Sequence, residues 1–306
     1  MLAFLVRRLT GLLVVLWCVI TLTFFLVRLA PGGPFSRERK IPPAIEKQLL
    51  ARYKLDGTLW QQYTDYLGDL LKGDLRLSTK YRDRSVNELI ADGLPVSGLL
   101  GFTAFLIATG SGIALGCAAA WRQHSFLDRA SMLGALTLIS VPSFVIGPLL
   151  VLVFALRLPW LPVGGWNSPA SVILPALTLA GPYTAYIARL TRSSMLEVLS
   201  QDFIRTARAK GLTETAVATR HALKIALLPV VSFLGPLAAN LLTGSIVVES
   251  IFNIPGMGGY FVNSILNRDV FLLSGVVIVY CTLLVGLNLL VDLSYTLLDR
   301  RIQVYE

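Results

Sequence analysis

Charge is what this sequence has least of. Only 15% of its 306 residues are Asp, Glu, Lys or Arg, against roughly a quarter in an ordinary soluble domain. Hydrophobic residues make up 55% and the mean hydropathy is +0.68. A soluble core has no use for that much apolar surface, so the chain belongs in a bilayer. Cysteine and histidine are also scarce, three and two residues. Cys18, Cys117 and Cys281 fall in three different apolar runs, which argues against a disulfide framework and leaves them as small hydrophobes. His124 and His221 stand apart from any cluster of carboxylates or thiols, so neither a metal site nor histidine acid-base chemistry is expected. No Gly-x-x-x-x-Gly-Lys-Ser/Thr loop occurs. Gly110, Gly112 and Gly116 in GSGIALG lack its lysine and lie inside an apolar run, where small residues let helices approach closely. No catalytic residue is assigned. Acidic residues are outnumbered 18 to 27 by basic ones, giving a net charge of +9. The basic stretches hold few aromatics and no nucleic-acid module, so no nucleic acid is expected as partner. Loops that orient a membrane protein account for the excess more simply.

What is abundant is the long apolar run. Leu9 to Val27 follows Arg7 and Arg8; it is too long for a typical signal-peptide core, and Arg28-Leu29-Ala30-Pro31 is a poor cleavage site, so it is read as a retained first transmembrane helix. Five further spans are expected at Val96–Ala120, Met132–Leu156, Val172–Leu190, Leu227–Val248 and Phe271–Leu290, each near the ~20 residues a crossing helix needs. The fold class is therefore an all-α integral membrane protein of six transmembrane helices. With the N-terminus inside, the inner segments carry Arg7, Arg8, Arg122, Arg129, Arg189, Arg192, Arg205, Arg208, Lys210, Arg220, Lys224, Arg300 and Arg301, and the short outer loops only Arg157 and Arg268. That asymmetry puts both termini in the cytoplasm. The expected organisation is a first helix over 1–30, an outer segment over 31–95, a five-helix core over 96–298 that includes a cytoplasmic loop at 193–226, and a tail at 299–306.

The outer segment opens on Pro31, Gly32, Gly33 and Pro34, a turn signal. Ile45, Leu49 and Tyr53 share a helical face, and Leu59, Tyr63, Tyr66 and Leu70 recur at i, i+4, i+7 and i+11, which predicts two short amphipathic helices. Their apolar stripes can pack on each other, on the membrane surface or on a partner.

Asp202 to Pro229 is the polar insert around which the chain is organised. Ala207, Arg208, Ala209 and Lys210 are good helix formers, Gly211 suits the left-handed end of a helix, Thr213 suits an N-cap, and Pro229 opens the next span. The pattern predicts helix, glycine turn, helix. Charge alone would allow a solvated loop that only fixes topology.

Resemblance to a known family distinguishes the two. Arg205-Thr206-Ala207, three residues, Gly211, nine residues, then His221-Ala222-Leu223-Lys224 resembles the EAA loop of ABC importer permeases. Arg205-Thr206-Ala207 stands where Glu-Ala-Ala is usual, as in the dipeptide, oligopeptide and nickel branch. LAPGGPF, LPVSGLL, VPSFVIGPLLVLVFALRLPWLPVGGW and VVESIFNIPGMGGYFVNSILNRD resemble the same branch, so the likeness covers nearly the whole chain. The C-terminal Asp299-Arg300-Arg301 departs from its usual Asp-Pro-Arg. The resemblance implies a type I importer permease of the inner membrane that moves oligopeptides or dipeptides as a heterodimer with a second permease. Two ATPase subunits or domains would bind ATP and Mg, leaving this chain without a cofactor, and a substrate-binding protein would deliver cargo to the outer face. The coupling surface would comprise Asp202, Arg205, Thr206, Ala207, Arg208, Lys210, Gly211, Glu214 and His221.

Polar groups inside spans default to function because they are costly there. Asn240 and Glu249 are the residues expected to face the translocation path. Asn288, Asp292, Tyr295 and Asp299 form one polar face of the last helix, better suited to a structural network. A nickel permease remains an alternative, although no His or Cys cluster favours it. An ion-coupled secondary transporter would want acidic residues near mid-span and an internal repeat, and neither is evident.

Overall fold

The computed structural model describes residues 2–29, 42–242 and 245–298; the side chains of 2–5, 43, 46 and 291–298 lie outside the described set. In chain order the helices are α1 (Leu2–Leu29), α2 (Pro43–Arg52), α3 (Leu59–Leu71), α4 (Val86–Trp121), α5 (Phe126–Ser140), α6 (Ser143–Leu150), α7 (Ile173–Leu199), α8 (Asp202–Ala209), α9 (Glu214–Ala216), α10 (Leu223–Ala226), α11 (Leu228–Leu242), α12 (Ile246–Ile251), α13 (Met257–Leu266) and α14 (Val270–Leu298). π-helical turns follow α6 and α9, and a 3₁₀ turn precedes α7. Five helical stretches are long and apolar enough to cross a membrane, six if the bent pair α5 and α6 makes one span.

The third span differs from the single helix expected over Met132–Leu156. α5 and α6 meet at 111°. Pro142 drives the residue before it out of the helical region, and Val141 is extended at φ −88°, ψ 122°. The second helix also differs, beginning at Val86 rather than near Val96. Ser85 and Glu88 cap it reciprocally, and Pro95 lies inside it.

The contacts group the chain into two units, Met1–Ser97 with Pro255–Val285, and Gly98–Ile254 with the remainder. In the first, α3 starts with a capping box in which Thr58 and Gln61 bond each other's backbone. Its buried face brings Tyr63 and Tyr66 against Phe24 of α1, with ring centroids 5.2 and 5.8 Å apart. Leu272 and Val276 of α14 and Val86 and Leu89 of α4 complete that core. Asp269 caps α14 through the Leu272 amide and also takes the Ser78 hydroxyl and the Thr79 amide, so the 75–85 loop is tied to the start of α14. Arg76 bonds Asp69, which Lys54 reaches as well. Burial pushes the Asp69 carboxyl up, and the two cations outweigh it, holding the group below its ordinary value.

In the second unit α7 is the hub on which α5, α6, α10, α11 and α12 pack. α4 reaches it closely because Gly112 and Gly116 have no side chain. A Cβ at Gly116 would stand 2.5 Å from Thr191 Cβ, and one at Gly112 2.7 Å from Ile187 Cβ.

Candidate functional site

The 202–226 segment folds as its local chemistry dictates. Ile204 and Ala207, one turn apart on α8, are 0% and 6% exposed. They join Val217, Ala218 and Ala222 in a small core with Ala120 of α4 and with Met195 and Val198 of α7. α8 ends in a Schellman turn: the Leu212 amide donates to the Ala207 carbonyl, the Gly211 amide to that of Arg208, and Gly211 sits at φ +79°. Thr213 then caps α9 through its hydroxyl, which accepts from the Ala216 amide at 3.3 Å. The helix, glycine turn and helix expected from sequence are all present, with a π turn at Val217–Ala222 inserted in the second helix.

A two-pronged ion pair closes the turn. Arg208 Nε and Nη2 donate to the two Glu214 carboxylate oxygens at 2.7 and 3.1 Å. The guanidinium holds Glu214 below its ordinary carboxylate value, and Glu214 raises Arg208 in return. Behind the pair lies a cavity of about 470 Å³ with Ala120, Trp121, Gln123 and Leu199 in its walls. Asp202, Arg205, Thr206, Lys210, Gly211 and His221 are exposed, whereas Ala207 faces inward. Eight of the nine residues that the resemblance implies for the coupling surface are thus exposed on this segment. Chemically it offers alternating cations and hydroxyls for recognition and no pairing of nucleophile with base.

Asn240 is exposed on α11, its Nδ2 donating to Tyr183 Oη at 2.9 Å. Glu249, in the first turn of α12, is 1% exposed and enclosed by its own unit. Of the two residues expected to face the path, only Asn240 presents an accessible side chain. Asn288 is half-buried, and the side chains of Asp292 and Tyr295, like Asp299 itself, lie outside the described residues. Sequence reasoning missed the pairing of Asp128 with Arg192. The buried carboxylate accepts Arg192 Nε at 2.5 Å and Nη2 at 2.9 Å, plus the His124 amide, and so joins the start of α5 to α7. A cap-forming Ser125 ahead of Asp128 was the available signal.

Long apolar helices, one pair bent by 111° at Pro142, together with an ordered polar segment between two of them define a multi-pass helical membrane protein. Residues 112–304 match the family model for binding-protein-dependent transport system inner membrane components, and residues 1–96 match its N-terminal companion. The chain belongs to that family. It is 47% identical over 305 residues to the oligopeptide transport system permease protein OppB of Haemophilus influenzae, covering 99% of this chain and 100% of that one. OppB of Escherichia coli K12 is 46% identical over the same coverage, and the dipeptide transport system permease protein DppB of Bacillus subtilis 45%, covering 99% and 98%. Among solved structures, an inward-facing form of the MetNI methionine ABC transporter superposes with a TM-score of 0.55 at 17% identity, over 70% of this chain and 97% of that one. An amino acid ABC transporter with histidines gives 0.54 at 18%, over 69% and 94%. Both share the fold of this chain over that stretch.

Proposed function

We propose that this chain is one permease subunit of an ATP-driven peptide importer in the inner membrane, with both termini cytoplasmic. It hydrolyses nothing itself. A second permease completes the path, separate ATPase subunits bind ATP and Mg and act on the 202–226 handle, and a binding protein delivers peptide to the outer face. The carrying observation is the construction of the handle, in which an exposed face of α8 is fixed on α4 and α7 by Ile204 and Ala207 and locked by the Gly211 turn. A push on that face reaches α7 and, through Val217–Ala226, α11. Coupling requires that the motor hold the inward and outward states differently, because equal contacts shift no population. The full-length relatives are oligopeptide and dipeptide permeases, which supports peptides over nickel.

The test is Gly211→Val. Its Cβ would meet nothing within 4 Å, so any effect comes from backbone strain at φ +79° rather than from a clash. Uptake by the assembled transporter should fall severalfold at normal membrane levels, while Gly211→Asn, which tolerates that conformation, keeps it. Full uptake by the valine variant would remove the handle from the mechanism.

A further inference from the structure

A span that met only lipid would be apolar all round, yet α7 gathers Tyr183, Tyr186, Arg189, Leu190 and Ser193 within about a third of its circumference. Tyr186 is 46% exposed, and Arg189 and Ser193 are exposed too. α11 meets this stripe in kind, for Asn240 bonds Tyr183 and the Phe233 ring lies 4.4 Å from that of Tyr186. Toward the C-terminal end of α7 the stripe opens into a cavity of about 420 Å³ floored by Met132 and Leu190 and walled by Arg189, Arg192 and Ser193. The two guanidiniums are not equivalent. Arg192 is neutralised by Asp128, whereas Arg189 has no acceptor among the described residues. Arg189 stands at the inner end of the span, among the cations that set its orientation, and its guanidinium therefore faces water or protein rather than lipid.

The geometry points to Arg189 and this cavity as the carboxylate subsite of the path, taking the C-terminal carboxylate of each passing peptide; the inference rests on the function proposed above. Linear peptides of any sequence share a main chain and two charged ends. The arginine fork matches a carboxylate in two parallel hydrogen bonds. Tyrosine and asparagine groups meet the main chain without selecting side chains, and Met132 adds a soft apolar contact. A single exposed charge holds an anion weakly, which lets the cargo leave.

The experiment uses the complete transporter with its binding protein in proteoliposomes, comparing ATP-driven uptake of tetra-alanine and its C-terminal amide by wild type, Arg189→Gln and Arg189→Lys. The binding protein is common to all three, so any change in the acid-to-amide ratio arises in this chain. Arg189→Gln should lower uptake of the free acid roughly tenfold and leave the amide near wild type, while Arg189→Lys keeps most of the preference. An unchanged ratio overturns the inference, and so does loss of the second permease from the purified complex, which would mark Arg189 as a contact with that subunit. Should Arg189→Gln not reach the membrane, Ser193→Cys decides: slower thiol labelling during uptake of the acid than of the amide supports the subsite, and equal labelling sinks it. Absence of ATP-driven uptake of either peptide by wild type would instead mean that the parent reading has failed.

Discussion

At the scale of single residues, the handle's turn is a titratable clip. Glu214 lies below its ordinary value because Arg208 stabilises the carboxylate. A depressed pKa means that the folded form gains from the charged state; the gain is complete above the unfolded value, near 4.5, and is lost as pH falls through the folded one. Amide exchange at Gly211 to Ala216 should therefore be slow at neutral pH and quicken, relative to intrinsic rates, only below the usual glutamate range. Glu214→Gln should show the quick behaviour at neutral pH. The glycines of α4 make a different demand, for space. Gly116→Leu would force a side chain into Thr191 and the Ala188 carbonyl, 2.5 and 2.6 Å from the missing Cβ, and should lower the thermal midpoint of the solubilised protein by the equivalent of ~1–3 kcal/mol. Gly110, with nothing within 4 Å, should tolerate alanine. Both behaviours trace to local chemistry, and the sequence shows such chemistry directly: Gly211 and Thr213 announce a turn and a cap wherever they stand. It does not show that Arg208 reaches across the turn to Glu214, because that depends on the angle between two helices.

Elements are where the sequence becomes harder to read. Six apolar runs were legible from hydropathy, and the boundaries moved where capping groups outweighed hydropathy, as at Ser85 and Glu88 ten residues before the expected start of α4. Pro142 stands inside the third run, but a proline fixes only its own φ and restricts its neighbour. The 111° bend also needs packing of α6 on α7 and α12, which lie far along the chain. The pairing of Asp128 with Arg192 was illegible for the same reason, since 64 residues separate the partners. Asp128→Asn should keep the cap of α5 while losing the charge that Arg192 faces. We expect a destabilisation of about 2 kcal/mol, measured as a lower midpoint in detergent, and partial recovery when Arg192→Gln is added so that no cation is left unmatched.

For the whole molecule, the α2–α3 region separates two roles that a simple deletion would confuse. Removing Ile45 to Leu71 would take Tyr63 and Tyr66 out of the core they build with Phe24, so the loss of transport would report a collapsed unit and say nothing of docking. Tyr66 is 2% exposed, and burial pushes its phenol up to about 12. Tyr66→Ala should cost ~3–5 kcal/mol, the penalty of emptying an aromatic site, and should cut the amount of protein in the membrane. Trp60 and Leu71 lie on the same helix but are 67% and 90% exposed, Trp60 touching the core where its ring centroid lies 5.6 Å from that of Tyr63. An exposed indole is suited to anchoring an interface, where aromatic residues carry much of the binding energy. If the binding protein docks there, Trp60→Ser with Leu71→Ser should leave membrane levels and basal ATP hydrolysis of the assembled transporter unchanged. Its stimulation by loaded binding protein should require at least tenfold more of that protein. Equal stimulation at equal concentration would place the docking surface elsewhere and leave α3 with packing as its whole task.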